Sequence, residues 1–291
     1  MKKLSHILEY VFLRLLEFFI GVIPRKLALQ TGSIFGLSLY HLGIYRKIVQ
    51  RNFDHTGLFP PNKQKKIIRQ LYSNIGKYGA DMLLPVKKVP HYTVDNLEAV
   101  KEPLKHGKGL IAVLAHFGNW ELLATFFGTV FSDLNVLARP MHNPYVEKWL
   151  LAKRKESRVT PIYASGALRK ILSVLKRNGL IAMLIDQYSA EQGTPAPFLG
   201  KTANTVRTVA GLFQKLDFGI VFPYALMQKD GTYRVVIESA LPIPVSRDNE
   251  EEFITAILKA HNDVISQWIT KYPEHYFGWF HRRFKDVISY K

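Results

Sequence analysis

The chain has 291 residues, of which 47% are hydrophobic, so it can form one large or two modest domains with a substantial core. Its 40 Lys and Arg residues outnumber 23 Asp and Glu residues, and the net charge of +17 favours an anionic partner: nucleic acid, an acidic protein or a phosphate-rich lipid surface. Cysteine is absent, which excludes disulfides, cysteine metal sites and a cysteinyl acyl-enzyme.

The first segment, residues 2–22, is predicted to be an amphipathic helix. On a helical wheel its apolar side consists of Leu4, Ile7, Leu8, Val11, Phe12, Leu15, Phe18 and Phe19. The polar arc consists of Lys2, Lys3, His6, Glu9, Tyr10, Arg14 and Glu17. Because charges inside the run disfavour a spanning helix, we expect it to lie in the membrane interface, with docking on the protein core as the alternative. No small-residue cleavage site follows the run, so a removed signal peptide is not expected.

The next segment, residues 27–45, carries no formal charge and contains Gly32 and Gly36. Its length could just span a bilayer, but the Gly-xxx-Gly spacing equally suits close helix packing inside a protein. We expect a buried or membrane-apposed helix. Residues 1–45 are therefore interpreted as a membrane-associating segment, and residues 46–291 as one α/β domain.

Beyond this segment, a helix is predicted at 62–82, and from residue 109 onward apolar strand-like runs alternate with helical patterns. Strands are predicted at 109–114, 134–138, 179–185 and 219–226, with a strand of edge character at 233–238. Further helices are predicted at 120–130, 143–155, 165–177, 205–216 and 253–272. This alternation predicts an α/β fold with a mixed central sheet flanked by helices.

The apolar run that begins at residue 109 ends in His116, where a strand passes into a helix. Ligands of open α/β sheets collect at the carboxyl ends of strands, and a histidine oriented by a carboxylate is a general base. Glu121 follows in the sequence, but five residues on a straight helix correspond to about 140° of rotation. We expect Gly118 and Asn119 to bend the backbone and bring the pair together. A purely structural histidine is the alternative.

Other candidate site residues follow the neighbouring predicted strands. Arg139 follows the strand at 134–138, and Asp186 and Gln187 follow the strand at 179–185, so all are expected at the same sheet edge as His116. Arg139 could stabilise a thioester oxyanion or bind a phosphate, and backbone amides near Gly118 and Asn119 could share the first role. Asp186 and Gln187 are expected to line the site. The basic and aromatic residues at 279–285 suit phosphate or lipid headgroups, or equally a solvated carboxy-terminal strap.

Several other classes of site are not expected. The Gly200-Lys201-Thr202 run lacks the P-loop glycine because Pro195 stands at that position, and no G-x-S-x-G elbow exists. No HxxxH or HExxH spacing occurs, so no metal site is expected. Nucleic acid is not the expected partner, because no helix-turn-helix, zinc-finger or ribonucleoprotein signature is present and the basic residues are spread over many elements.

Taken together, these motifs resemble the lipid A biosynthesis acyltransferases, the late lauroyl- and myristoyl-transferases of Gram-negative inner membranes. The resemblance covers most of the chain and is carried by residues 46–53, 115–121, 139–140, 186–187, 272–274 and 281–283. The His-x4-acid motif is shared with glycerolipid acyltransferases, but their second motif of the Pro-Glu-Gly-Thr type is absent here.

The resemblance implies an enzyme at the cytoplasmic face of the inner membrane, in lipopolysaccharide biosynthesis. It implies transfer of a fatty acyl chain from acyl carrier protein to a hydroxyl of a lipid A precursor, without a cofactor, with His116 as general base and Glu121 as its orienter. The net charge suits an acidic carrier protein and a phosphorylated acceptor. Another lipid acceptor, a lysophospholipid or aminolipid, is the first alternative. A non-enzymatic protein that binds anionic lipid or nucleic acid is the second.

Overall fold

The computed structural model describes residues 2–85, 91–189, 193–239, 245–246 and 248–290. The helices in these ranges are α1 (Lys2–Val22), α2 (Arg25–His41), α3 (Arg46–Thr56), α4 (Pro61–Leu83), α5 (Glu98–Lys105), α6 (Trp120–Phe131), α7 (Pro144–Glu156), α8 (Ala167–Lys176), α9 (Thr208–Lys215) and α10 (Glu250–Lys271). The strands are β1 (Tyr92–Asp95), β2 (Leu110–Leu114), β3 (Leu134–Ala138), β4 (Val159–Tyr163), β5 (Leu180–Leu184), β6 (Gly193–Phe198), β7 (Lys201–Val206), β8 (Gly219–Met227) and β9 (Tyr233–Ser239). Two 3₁₀ helices, Pro273–His275 and Phe277–Phe280, follow α10.

The described strands form a seven-stranded sheet in the order β1-β9-β8-β2-β5-β3-β4, together with a separate β6–β7 hairpin. The strands β8, β2, β5, β3 and β4 run parallel, whereas β9 is antiparallel to β8 and parallel to β1. Every residue of β2 is buried, which explains why this strand reads as an uninterrupted apolar run. The predicted α/β fold with a mixed central sheet flanked by helices is confirmed.

The structure corrects two predicted elements. The strand predicted at 233–238 as an edge strand is β9, which lies between β8 and β1. The helix predicted at 205–216 begins only at Thr208, because the preceding residues form β7. Four strands were not predicted from the sequence: β1, β4, β6 and β7. The prolines in β4 and β6 make these segments atypical of strands, since proline cannot donate a ladder hydrogen bond and is tolerated mainly at sheet edges.

Helix α2 packs against α4 through glycines. A Cβ atom on Gly32 would lie 2.2 Å from the carbonyl oxygen of Gly76, and one on Gly36 would lie 1.9 Å from that of Tyr72. The two backbones can approach this closely only because no side chain separates them. A hydrogen bond between the hydroxyls of Ser33 and Ser73, 2.7 Å long, crosses the same interface. The Gly-xxx-Gly spacing therefore serves helix packing within the protein.

Helix α1 packs on the protein through its polar arc. Glu9 accepts a hydrogen bond from Asn143 at the start of α7, with Nδ2 and Oε2 2.8 Å apart, and Glu17 pairs with Lys153 of α7 at 3.2 Å. The apolar residues of the opposite arc are exposed, which is the reverse of a helix docked on a core by its apolar face. None of the helices in the described ranges has both the length and the apolar character needed to cross a membrane.

The α2–α4 contact predicts opposite effects for two glycines of one helix. Gly76→Ala would place its Cβ atom 1.8 Å from the carbonyl oxygen of Gly32, so we expect a loss of about 1–3 kcal/mol in the free energy of unfolding. Gly79→Ala meets nothing within 4 Å and should be neutral or stabilising by up to about 1 kcal/mol through helix propensity. Denaturant unfolding of both variants tests this. Equal stabilities would contradict the proposed packing.

Candidate active site

His116 is held at the carboxyl end of β2 by a turn that docks on β8 and on the carboxy-terminal tail. Gly118 has a φ of +62°, and a Cβ atom there would lie 2.1 Å from the carbonyl oxygen of Ala225 in β8, so only glycine fits. The amide of Gly118 donates to the carbonyl of His275 at 2.9 Å. The amide of Phe277 donates to the carbonyl of His116 itself at 2.7 Å. The backbone of the histidine is therefore fixed on both sides.

Asp186 binds His116 twice. Its Oδ1 atom lies 2.8 Å from the imidazole Nδ1, and its Oδ2 atom accepts the backbone amide of His116 at 3.0 Å. The contact follows from the sheet, because β5 is parallel to β2 with Leu184 opposite Leu114. The carboxylate is buried and can only accept, so Nδ1 carries the proton and Nε2 is left unprotonated, as a hydrogen-bond acceptor. This arrangement suits a general base.

The two groups shift each other's pKa. Burial, the largest influence, lowers the pKa of His116, but the charge and hydrogen bond of Asp186 raise it, and Glu121 adds a smaller contribution, so the pKa is raised overall. Burial raises the pKa of Asp186, but the charge of His116, both hydrogen bonds and the charge of Arg283 outweigh it, so that pKa is lowered. The site is thus built to stabilise an imidazolium beside a carboxylate.

Gln187 lies between two imidazoles. Its Nε2 atom is 3.2 Å from Nε2 of His116 and 3.1 Å from Nε2 of His281. Burial, followed by the nearby His116, lowers the pKa of His281, and Asp186 opposes this only partly. The neutral form of His281 is therefore favoured, and each ring in its neutral form can accept one hydrogen from the amide. The sequence placed Gln187 at the site, but the part played by His281 was not foreseen.

Glu121 does not take the position expected for it. Its Oε1 atom accepts a hydrogen bond from Nη2 of Arg154 in α7 at 2.8 Å, whereas the imidazole of His116 binds Asp186. The bend at 118–119 docks the turn on β8 and does not rotate the first turn of α6 towards His116. The expectation that Glu121 orients the imidazole is therefore corrected. Glu121 acts on His116 only through its charge.

The backbone amides of Gly118 and Asn119 and the side chain of Asn119 already form hydrogen bonds within the protein. The amide of Asn119 donates to the carbonyl of Ala225 at 2.9 Å, as that of Gly118 does to His275. The Asn119 side chain caps α6 by accepting the amide of Leu122 at 3.0 Å. These two amides are therefore not available to an oxyanion, and both residues shape the turn.

Arg139 lies at the same sheet edge but farther away. It follows β3, which is separated from β2 by β5, so it is displaced by two strand spacings, or about 10 Å. Its side chain is exposed, and within the described ranges its guanidinium has no ion-pair partner. An exposed, unpaired guanidinium at the edge of a site can bind a substrate anion.

The tail at 279–285 is largely a structural element rather than a headgroup site. Trp279, Arg283 and Phe284 are buried, whereas Arg282 and Lys285 are exposed. Arg283 donates to the carbonyl of Asn204, to the hydroxyl of Thr205 and to the carbonyl of Gln187. Spacing alone does not distinguish a buried arginine from one that faces solvent. Sequence reasoning therefore missed that Arg283 supports the site.

The side chains that converge at the carboxyl end of β2 are suited to acid–base chemistry. Among the residues that the structure describes, no three His, Asp or Glu side chains converge as metal ligands would. The groups that do converge are an oriented imidazole, a buried carboxylate and a side-chain amide. Such a set can remove a proton from a hydroxyl and support its attack on an acyl group.

Comparison with protein families identifies the chain. Residues 1–286, nearly the whole length, match the family described as bacterial lipid A biosynthesis acyltransferase. The chain belongs to this family. The resemblance seen in the motifs is confirmed, and membership supports an acyltransferase of lipid A and lipopolysaccharide biosynthesis with a lipid acceptor and an acyl donor. A search of curated proteins finds no match.

The geometry predicts which carboxylate controls the pKa of His116. In Asp186→Asn, the charge of Glu121 alone remains to oppose the lowering of the pKa by burial. We therefore expect the pKa of His116 to fall below its ordinary value. In Glu121→Gln, the pKa should fall by a smaller amount because Asp186 remains. Titration of the His116 ring by NMR measures both shifts. A larger shift in Glu121→Gln would contradict the assignment of Asp186.

Proposed function

We propose that this acyltransferase moves a fatty acyl chain from the thioester of acyl carrier protein to a hydroxyl of a lipid A precursor, with His116 as general base. The observation that carries the proposal is the bond from Nδ1 of His116 to the buried Asp186, which leaves Nε2 as the basic atom. The imidazole is 14% exposed, so a substrate can reach it from one side.

The proposed reaction is direct transfer. Nε2 of His116 takes the proton as the hydroxyl oxygen of the acceptor attacks the carbonyl carbon of the thioester, and a tetrahedral intermediate forms. Asp186 stabilises the resulting imidazolium. The carbon–sulfur bond then breaks, and the imidazolium returns the proton to the departing thiolate, so the products are an ester and a free thiol. The chain has no cysteine to form a cysteinyl acyl-enzyme, which is consistent with direct attack.

The acceptor is proposed to be an anionic lipid whose phosphate binds Arg139. Support comes from the exposed side chain of Arg139, its place at the sheet edge of His116 and its lack of an ion-pair partner among the described residues. On this proposal Arg139 contributes to binding of the acceptor rather than to the chemical step.

The acidic donor is proposed to dock on α3 and α4. Two grooves there, of about 500 and 530 Å³, are lined by several cations. These cations are Arg46, Lys47, Lys65, Lys66, Arg69 and Lys77. None of them forms an ion pair with a described residue, so their charge is available to a partner. Helix α3 adjoins the site, since Asn52 donates to the carbonyls of Trp279 and His281 at 2.8 and 2.9 Å.

The first 45 residues are proposed to hold the enzyme on the cytoplasmic face of the inner membrane. Helix α1 binds α7 with its polar arc, so its apolar arc remains free to enter the interface. Phe12 and Phe18 of that arc are 58% and 63% exposed. A helix that lies in the membrane plane need not have the length and apolarity of a spanning helix.

The mechanism predicts the effect of removing the base. His116→Ala should lower turnover by about 10²- to 10⁴-fold, the usual contribution of a general base. The matched control is His106→Ala, since the side chain of His106 is 71% exposed at the end of α5. The assay incubates enzyme with acyl carrier protein thioester and a lipid A precursor and separates the lipid products. Near-normal transfer by folded His116→Ala would refute the mechanism.

The same assay distinguishes acceptors. Product with the lipid A precursor and none with lysophospholipid supports the proposal. Product with lysophospholipid alone would make the protein an acyltransferase of another lipid. No product with any thioester, together with salt-sensitive binding to polyanions, would favour a non-enzymatic binding protein.

The membrane proposal predicts the effect of charges within the apolar arc. The double variant Leu8→Asp and Leu15→Asp should bind anionic vesicles at least about 100-fold more weakly, because two leucines lose their burial in lipid. Leu168→Asp is the control, since this α8 residue is 58% exposed but distant in sequence from α1. High salt alone should release little wild-type protein, since apolar burial is not screened. Unchanged binding of the double variant would move the contact to residues 27–45.

A further inference from the structure

Transfer of an acyl group requires a hydrogen-bond donor for the oxyanion of the tetrahedral intermediate, and the backbone amides directly after His116 are occupied here. The three backbone amides that follow His116 all bind carbonyls of the protein. Phe117 donates to Ala115 at 2.6 Å, and Gly118 and Asn119 donate to His275 and Ala225 at 2.9 Å each. These three amides are therefore not available to the oxyanion, so the side-chain donors beside His116 become the candidates.

The side-chain amide of Gln187 lies within hydrogen-bond distance of the basic atom. Its Nε2 atom is 3.2 Å from Nε2 of His116, which accepts a hydrogen because the Nδ1 proton is directed to Asp186. An acceptor hydroxyl that gives its proton to His116 must take the place of this amide hydrogen. In the proposed reaction the displaced amide hydrogen lies beside the reacting carbon, where it can bind the carbonyl oxygen of the thioester.

We propose that the Gln187 carboxamide is the oxyanion donor of the reaction and that His281 is the positioning residue that orients it. This inference rests on the proposed function, because it requires acyl transfer with His116 as base. It separates the two anions of the reaction: Gln187 binds the oxyanion, and Arg139 binds the phosphate of the acceptor.

His281 is well placed to fix the amide. Its Nε2 atom accepts the second amide hydrogen of Gln187 at 3.1 Å, so the nitrogen rather than the oxygen of the carboxamide faces His116. The His281 backbone is held on both sides, since its amide donates to Gly278 at 3.0 Å and its carbonyl accepts from Asn52 at 2.9 Å. The backbone carbonyl of Gln187 in turn accepts a hydrogen bond from the buried Arg283 at 3.4 Å. Both ends of the donor are therefore fixed by the protein.

The decisive variant is Gln187→Leu, which keeps the bulk of the side chain and removes the donor. We expect kcat to fall by about 10²- to 10³-fold, as for loss of one oxyanion-hole donor, while the KM values for thioester and acceptor change by less than about threefold. Gln187→Glu, which replaces the donor with a carboxylate, should lose at least as much kcat. It serves as the second variant if the leucine variant does not fold.

The positioning role is tested by a pair of variants. His281→Leu removes the acceptor of the amide hydrogen, and kcat should fall by about tenfold, since the carboxamide is then free to turn. His281→Gln places an acceptor oxygen near the position of the imidazole Nε2 and should recover most of that loss. Equal kcat values for the two variants would overturn the positioning role.

Wild type and His116→Ala are measured in the same assay. Absence of transfer by the wild-type enzyme would refute the proposed function and this inference with it. If wild type transfers, His116→Ala does not, and folded Gln187→Leu retains kcat within about threefold of wild type, the inference alone is overturned. A change confined to the KM values would also overturn it, because Gln187 would then only line the binding site.

Discussion

The bond between His116 and Asp186 is the interaction on which the rest of the site depends. Their strands are neighbours in the sheet, and the amide of Ile185 donates to the carbonyl of Leu114 at 3.1 Å just before both side chains emerge. A buried carboxylate without partners would be costly. Asp186 avoids this cost because it accepts two hydrogen bonds from His116 and the positive charge of Arg283 lies nearby.

The surrounding elements keep this pair in place. The turn after β2 is fixed on β8 and on the 3₁₀ helix Pro273–His275, which follows α10 and leads into the tail. Arg283 connects the tail to the β6–β7 hairpin through Asn204 and Thr205, and Asn52 connects it to α3. The tail therefore joins three parts of the chain that are distant in sequence. Trp279 and Phe284 of the tail are buried for that reason, and Phe280 is half-buried.

Sequence reasoning placed His116, Arg139, Asp186 and Gln187 at the ends of strands because apolar runs identify buried strands and parallel strands end at one edge. It did not identify the partner of His116. Periodicity does not say which strands are neighbours, so Glu121 was preferred as the residue nearby in sequence, whereas the strand order brings Asp186 to the imidazole. The amphipathic pattern of α1 likewise defined its two faces but not which of them contacts the protein. Contacts to α7 decide that point.

The most direct test of the account is to determine which tautomer the His116 ring adopts when the imidazole is neutral. Long-range ¹⁵N–¹H correlation NMR of the imidazole distinguishes the protonated from the unprotonated ring nitrogen. The account predicts a proton on Nδ1, where Asp186 accepts it, and an unprotonated Nε2 that serves as the base. A proton on Nε2 would contradict it, because the atom assigned to take the proton from the substrate would then have no free lone pair.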